Sequence, residues 1–333
     1  MGDWLKDRVA VVTGAGGGLG KEVCLAFAEQ GARVVVNDLG GGTDGSGAST
    51  KAADVVVDEI KKRGGKAAAN YDSVATMQGG ENIIKTAVDT YGTVDIVVTC
   101  AGILRDRMIF NMAENEWDGV MATHLKGTFS VVKAASLVMR QKRYGRIITF
   151  TSTSGLYGNI GQANYSTAKS AIAGFSKVVA LDLGRYGITV NTVAPMAATR
   201  MTMTDEYLAS KARRDAIGVV REGFGYDPQV VEMNPKEVPP LLVYLASEKA
   251  GYINGQAFFT GGGIISLVAP PRLAKTIYKP GRWTVDELIE WVPQSRGRMG
   301  LMVPPLLAAQ TAQTLATQAA QTGQAQSATQ KAG

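Results

Sequence analysis

Val9-Ala10-Val11-Val12-Thr13-Gly14-Ala15-Gly16-Gly17-Gly18-Leu19-Gly20 changes character halfway. Its first five residues are small or β-branched, as in a strand buried on both faces. Glycines then let the backbone turn tightly, and residues 19–30 read as a helix whose free N–H groups face that turn. A glycine turn between a strand and a helix N-terminus suits a pyrophosphate, because the backbone approaches closely and the positive end of the helix dipole meets negative charge. Gly14, Gly18, Leu19 and Gly20 are therefore candidate dinucleotide contacts.

Outward from this unit the same alternation repeats. Strands are expected at residues 8–13, 33–38, 67–71, 94–99, 146–151, 189–193 and 256–260, with helices at 19–30, 51–63, 80–91, 117–141, 163–186 and 236–247. Seven strands with intervening helices predict an α/β fold, a Rossmann-like doubly wound parallel sheet in one domain over residues 1–265. Residues 266–306 are expected to form a C-terminal extension in which Pro270-Pro271 marks a linker. It should hold a short helix over 283–292, with Thr284 and Glu287 as a capping box. Residues 307–333, an Ala/Gln/Thr repeat with almost no charge, read as a low-complexity, disordered or weakly helical tail.

Composition narrows the function. The 333 residues carry a formal charge of +6, but the basic residues are interleaved with acids, so no nucleic-acid partner is expected. No apolar run approaches the roughly 20 residues of a membrane helix. The first residues lack the pattern of a signal peptide and the last, Lys331-Ala332-Gly333, are not a Ser-Lys-Leu type signal, so the expected location is cytoplasmic. Cys24 and Cys100 make no spaced pair and are expected as buried, reduced thiols. A single histidine, His124, leaves no His-rich metal cluster and no mechanism that needs two imidazoles.

The second strand ends in Val36-Asn37-Asp38, which places a carboxylate where it can accept bonds from ribose hydroxyls. A carboxylate there repels a 2′-phosphate, and no Arg or Lys lies beside it or in the glycine turn, so the cofactor expected is NAD rather than NADP. Asp72 ends the third strand and either bonds the adenine amino group or caps a turn. Tyr165 and Lys169 are four apart in a helical segment and share one face, while Ser152 closes the fifth strand. A free phenol has a pKa of about 10, and an ammonium one turn away favours its phenolate. Tyr165 can then carry the proton of a substrate hydroxyl whose oxygen Ser152 holds.

The glycine turn, Ser152 thirteen residues before Tyr165, and Tyr165-Ser166-Thr167-Ala168-Lys169 together resemble the short-chain dehydrogenase/reductase family from about Arg8 to Gly263. That resemblance implies NAD-dependent interconversion of a secondary alcohol and a ketone, with Ser152, Tyr165 and Lys169 as catalytic residues. Where the family has Asn-Asn-Ala-Gly after the fourth strand, this chain has Thr99-Cys100-Ala101-Gly102, so Ala101 and Gly102 retain backbone contacts to the cofactor. The family's catalytic Asn on the next helix aligns with His124, which either holds the relay water in its place or is a buried histidine bonded to backbone. The family's Thr that bonds the nicotinamide carboxamide corresponds to Thr199, one position early. The resemblance also implies a homodimer or homotetramer, assembled through the helices at 117–141 and 163–186.

Longer strings are more specific. Asp38-Leu39-Gly40-Gly41, Asn70-Tyr71-Asp72-Ser73-Val74, Ala101-Gly102-Ile103-Leu104-Arg105-Asp106-Arg107 and Tyr157-Gly158-Asn159-Ile160-Gly161-Gln162-Ala163-Asn164-Tyr165 look like the dehydrogenase part of peroxisomal multifunctional enzymes of type 2. This implies a 3-hydroxyacyl-CoA or similar CoA thioester as the small-molecule substrate. Met196, Met201, Met203, Tyr207, Phe224, Tyr226 and Met233 suit an apolar substrate lid over 196–234, and Arg200, Arg213, Arg214 and Arg221 either meet CoA phosphates or merely solvate the surface. Two alternatives remain: a dehydrogenase of a hydroxysteroid or other bulky alicyclic alcohol, and a non-catalytic dinucleotide-binding subunit.

Overall fold

A computed structural model of the chain describes residues 3–197, 233–271, 273 and 276–299. Its centre is one sheet. Strands β1 (Val9–Thr13), β2 (Arg33–Asn37), β3 (Lys66–Asn70), β4 (Ile96–Thr99), β5 (Gly145–Phe150), β6 (Ile188–Pro195) and β7 (Ala257–Gly261) run parallel in the order β3-β2-β1-β4-β5-β6-β7. The helices are α1 (Gly18–Glu29), α2 (Lys51–Lys62), α3 (Met77–Tyr91), α4 (Glu114–Met121), α5 (Gly127–Lys142), α6 (Thr153–Tyr157), α7 (Ala163–Gly184) and α8 (Pro239–Ala246).

The period of two along each strand explains the two layers. Ala10, Val12, Val34, Val36, Ile96, Val98, Ile148 and Phe150 belong to one buried cluster, which also takes Val23 and Phe27 of α1, Val56 and Ile60 of α2, and Leu242 and Leu245 of α8. Their neighbours Val9, Val11, Val35, Val97 and Ile147 enter a second cluster with Ile83 and Ala87 of α3, Val131 and Met139 of α5, and Leu183 of α7. The sheet is thus covered on both faces, as its parallel strands require. Strand order reverses between β1 and β4, so the crevice at that switch point opens beside the glycine turn.

The expected seven-stranded parallel sheet is present, and an eighth strand extends it. β8 (Ile264–Leu267) pairs antiparallel with β7 and spans residue 265, and the compact unit that holds the sheet continues to Ala269. Gly262 and Gly263, at φ of 57° and 75°, form the two-residue turn that permits this hairpin. The single helix expected at 117–141 is divided: α4 and α5 are joined by a π-helical turn, Ala122–Lys126. Two residues separate α6 from β5, in a stretch to which the sequence reading assigned no element. α3 starts earlier than expected because Thr76 caps it, accepting from Gly79 N at 3.0 Å.

Cys24 is buried in α1, whereas Cys100 lies one residue past β4 and is partly exposed; both thiols are free. Within the segment after Ala269, α9 (Val285–Met299) is longer than the helix expected at 283–292. Its capping box is formed: Glu287 N donates to the Thr284 hydroxyl at 3.2 Å, and Thr284 N donates to the Glu287 carboxylate at 2.7 Å. No helix among the described residues is long and apolar enough to cross a membrane. Phe27 is fully buried between α1 and the sheet, so Phe27→Ala should cost about 3–5 kcal/mol. Chemical denaturation checks this; a loss below 1 kcal/mol would contradict that packing.

Candidate active site

The glycine turn is built by close approach. Gly14 has φ of 64°, and a Cβ on it would lie 2.6 Å from the Cα of Ala101; a Cβ on Gly20 would lie 2.3 Å from the Gly14 carbonyl oxygen. No side chain fits at either position. Ala15 N donates to the Asn37 carbonyl at 2.9 Å, which ties the turn to the end of β2. The N-cap of α1 is Gly17, and no side chain caps the helix, so its first turn keeps N–H groups for an anion. This open backbone cradle suits the pyrophosphate of a dinucleotide.

Asp38 stands beside it. Its two carboxylate oxygens accept from Gly16 N at 2.7 Å and Gly40 N at 2.6 Å, so the carboxylate joins the glycine turn to the loop after β2. Each oxygen retains a lone pair that a ribose hydroxyl can use. Asp72 is held in an amide network: Asn70 and Asn82 each donate to it at 2.8 Å, and Asn37 donates to its carbonyl at 2.9 Å. That network fastens the ends of β2 and β3. The carboxylate of Asp72 therefore has partners whether or not an adenine is bound. Thr199 lies outside the described residues, as do Arg200, Met201 and the rest of the expected lid between them and Glu232.

On the other side of the crevice, Ser152 is the N-cap of α6 and accepts from Ser154 N at 3.1 Å. The residues before it are sewn to α7. The Lys169 ammonium donates to the Phe150 carbonyl at 2.8 Å, and the Thr151 hydroxyl donates to the Lys169 carbonyl at 2.7 Å. A Cβ on Gly155 would lie 2.7 Å from that of Lys169, so α6 and α7 touch through glycine. Lys169 is 6% exposed, and burial pushes its pKa down to about 8. Its ammonium sits 5.7 Å from the centre of the Tyr165 ring, and Tyr165 is half-buried over Ile103, Val120 and Ala168.

His124 occupies the π-helical turn, only 1% exposed, with its ring edge-on to Tyr165 at a centroid distance of 5.2 Å. Its Nε2 lies 3.0 Å from Ile103 N and 2.8 Å from Ile103 O, and serves one or the other according to tautomer. Nδ1 is buried and has no partner among the described residues. Burial first, and the nearby Lys169 charge second, push its pKa down to about 3. A Cβ on Gly102 would lie 2.3 Å from the imidazole Cε1, so the Ala101-Gly102 pair provides the seat for this ring.

The structure thus brings Lys169 and His124 to Tyr165, with Ser152 capping α6, and sets Gly14 against Ala101, Gly102 against His124 and Asp38 beside Gly16, with Gly18, Leu19 and Gly20 in the first turn of α1. Sequence reading missed Asn164, which is fully buried. Its amide donates to the carbonyls of Arg105 at 2.8 Å and Glu116 at 3.1 Å, and its oxygen accepts from Tyr165 N at 2.7 Å. Asn164 immediately precedes Tyr165, which was the available signal. Arg105 was missed as well, since an arginine in a loop has no spacing signature.

Among known proteins, a family model for short chain dehydrogenase matches residues 8–211. The chain belongs to the short-chain dehydrogenase family. It is 46% identical to peroxisomal multifunctional enzyme type 2 of Mus musculus over 78% of its own length, and spans about a third (32%) of that longer protein. It is 37% identical to a hydroxyacyl-CoA dehydrogenase of Mycobacterium tuberculosis, over 85% of this chain and 87% of that one. A crystal structure of a short chain dehydrogenase from Mycobacterium avium superposes with a TM-score of 0.75 at 41% identity, covering 90% of this chain and 98% of the other. The chain is accordingly an oxidoreductase acting on hydroxyl groups, in a fold family that binds a nicotinamide dinucleotide.

His124 generates a test. Its pKa is about 3 in the folded chain against an ordinary value of 6.5, so below pH 6.5 the unfolded chain binds a proton that the folded one refuses. Its contribution to stability is complete above pH 6.5 and is lost as the pH falls toward 3, by about 1.4 kcal/mol per pH unit at most. His124→Asn should flatten the acid limb of the stability profile between pH 6 and 4. Parallel limbs for parent and variant, measured by denaturation, would sink the assignment.

Proposed function

We propose that the chain is an NAD-dependent dehydrogenase that interconverts a secondary alcohol and a ketone, with a 3-hydroxyacyl-CoA or similar CoA thioester as substrate. The observation that carries the reaction is the Lys169 ammonium, bonded to the Phe150 carbonyl and held one helical turn from Tyr165, with Ser152 two residues past that carbonyl at the N-cap of α6. When bound, the dinucleotide supplies the two-electron acceptor.

The chain's own groups do the rest. Ser152 donates a hydrogen bond to the substrate oxygen and fixes the carbinol carbon in the crevice. Tyr165 takes the hydroxyl proton as the alcohol becomes a ketone, and returns it in the reverse direction. The charge of Lys169 stabilises the phenolate that performs this. His124 stays neutral at physiological pH, and its buried Nδ1 is the group available to hold a water next to Lys169. Gly14, Gly18, Leu19 and Gly20 cradle the pyrophosphate, while Asp38 accepts from the adenosine ribose. The Asp38 carboxylate, with no cation in the glycine turn beside it, disfavours a 2′-phosphate, and this supports NAD over NADP.

The substrate side favours a large apolar group. Met108, Ile109 and Phe110 after β4 and Tyr157 and Ile160 after β5 are exposed, and the two loops are tied where Arg107 N donates to the Gly161 carbonyl at 2.8 Å. Exposed apolar side chains beside the crevice suit an acyl chain, and the hydroxyacyl-CoA dehydrogenase among the relatives supports a CoA thioester. A bulky alicyclic alcohol suits the same rim and is the second reading. Exposed Phe129 and Leu137 on α5, with Val178 and Leu181 on α7, support a homodimer or homotetramer through those helices.

Formation of NADH from NAD, or of NADPH from NADP, should be measured with purified chain and a panel of 3-hydroxyacyl-CoA esters, free hydroxy acids and hydroxysteroids. Turnover of CoA esters with NAD is the expected result, and turnover of hydroxysteroids alone would reject the thioester. Tyr165→Phe should lower kcat by about a hundredfold to ten-thousandfold. Equal turnover by parent and variant would overturn the proton-carrier role, and no turnover of any panel member by the parent chain would favour a non-catalytic dinucleotide-binding subunit.

A further inference from the structure

The loop between β2 and α2 is closed on itself. Ser49 N donates to the Leu39 carbonyl at 2.9 Å, and Gly42 N donates to the Ser46 carbonyl at 2.7 Å. Gly40 has φ of 74°, and a Cβ there would lie 1.9 Å from the Ser49 oxygen, so the base of the loop admits only glycine. At that base, Gly40 N donates to Asp38, the carboxylate assigned to the ribose.

The far end of the loop lies on the segment after β4. Leu104 N donates to the Thr43 carbonyl at 2.9 Å, and a Cβ on Gly45 would lie 3.1 Å from Ile103 Cδ1. Arg105 makes the remaining connection. Its Nε donates to the Asp44 carbonyl at 2.9 Å, and its Nη1 donates to the Asn115 carbonyl at 2.8 Å in the first turn of α4. The guanidinium lies against that helix where residue 119 is glycine, since a Cβ there would come within 2.6 Å of Nη1. The Arg105 carbonyl, in turn, accepts from Asn164 beside Tyr165. One side chain therefore spans the tip of the loop after β2 and the α4–α7 corner that carries the tyrosine.

We propose that Arg105 is a positioning residue that fastens the 39–49 loop over the adenosine half of the dinucleotide site and ties that closure to the corner holding Tyr165. The inference rests on the dinucleotide reading of the glycine turn and Asp38. A planar guanidinium reaches two carbonyls in fixed directions, which an ammonium on a flexible stem does not reproduce. Without it, the loop that orients Asp38 must be ordered by the ligand, and that cost falls on binding of the adenosine end. A ligand that lacks adenosine never meets this loop and escapes the cost.

The test uses the full chain and two probes, NADH and reduced nicotinamide mononucleotide, with Kd read by their fluorescence. Arg105→Ala should weaken NADH by about tenfold or more and leave the mononucleotide unchanged, and Arg105→Lys should recover little of the loss. Because Arg105→Ala also removes a contact to α4, Gly119→Ala serves as a second variant. It favours the helix but pushes the guanidinium from its seat, and should shift NADH in the same direction. Combining Arg105→Ala with Asp38→Asn should give less than the sum of the separate losses, because both act through one loop. If both variants bind NADH as the parent does, or weaken the two probes by the same factor, the inference is overturned. Absence of NADH binding by the parent chain would overturn the cofactor reading and this inference with it.

Discussion

A lysine ammonium enclosed at the end of the central strand needs an acceptor, and the Phe150 carbonyl provides it at 2.8 Å. Most of the site depends on that bond. Once Lys169 is anchored to β5, α7 cannot slide along the sheet, and Tyr165, one turn earlier, is held over the crevice. The return bond from the Thr151 hydroxyl to the Lys169 carbonyl fixes the same junction from the other side, so the chain leaves β5 at Ser152 in a set direction. Burial lowers the Lys169 pKa to about 8, which leaves the ammonium largely charged at neutral pH but close to its titration. The charge then acts on its neighbours, and His124 is held neutral partly by it.

Much of this was legible in the sequence for reasons that can be stated. The βαβ rhythm depends on periods of two and 3.6, and both survive in the order of side chains. The glycine turn could be read because φ of 64° at Gly14 and the contact of Gly20 with the Gly14 oxygen admit no other residue. Tyr165 and Lys169 could be read because a spacing of four fixes two side chains on one helical face. In each case a local rule determines the residue type, and the rule needs no knowledge of a partner distant in the chain.

What stayed hidden depends on such partners. The π-helical turn at Ala122–Lys126 leaves the apolar pattern of the 114–142 segment almost unaltered, so one continuous helix was expected there. β8 is four residues long with three of them exposed, and its pattern resembles a loop after a glycine run. Asp72 reads as either an adenine ligand or a turn cap from its place at a strand end, and the bonds its carboxylate accepts from Asn70 and Asn82 are contacts that only the fold supplies. Arg105 has the same difficulty in stronger form. Its partners are the carbonyls of residues 44 and 115, and a backbone carbonyl carries no sequence signature.

His124 shows how a bulky ring can be accommodated in the crevice without loss of order. An imidazole is larger than an asparagine amide, and it fits because residue 102 lacks a Cβ. Its Nε2 is satisfied by the Ile103 backbone, which fixes the ring plane, and the T-shaped contact with Tyr165 fixes its tilt. Those restraints leave Nδ1 as the atom with no partner among the described residues, and a buried polar atom without one costs free energy that a water would recover. The π-helical turn permits this arrangement, because a widened turn carries the ring toward the crevice while α4 and α5 keep their packing on either side. The burial that does most to hold His124 neutral therefore comes from the same packing that directs its one unused nitrogen.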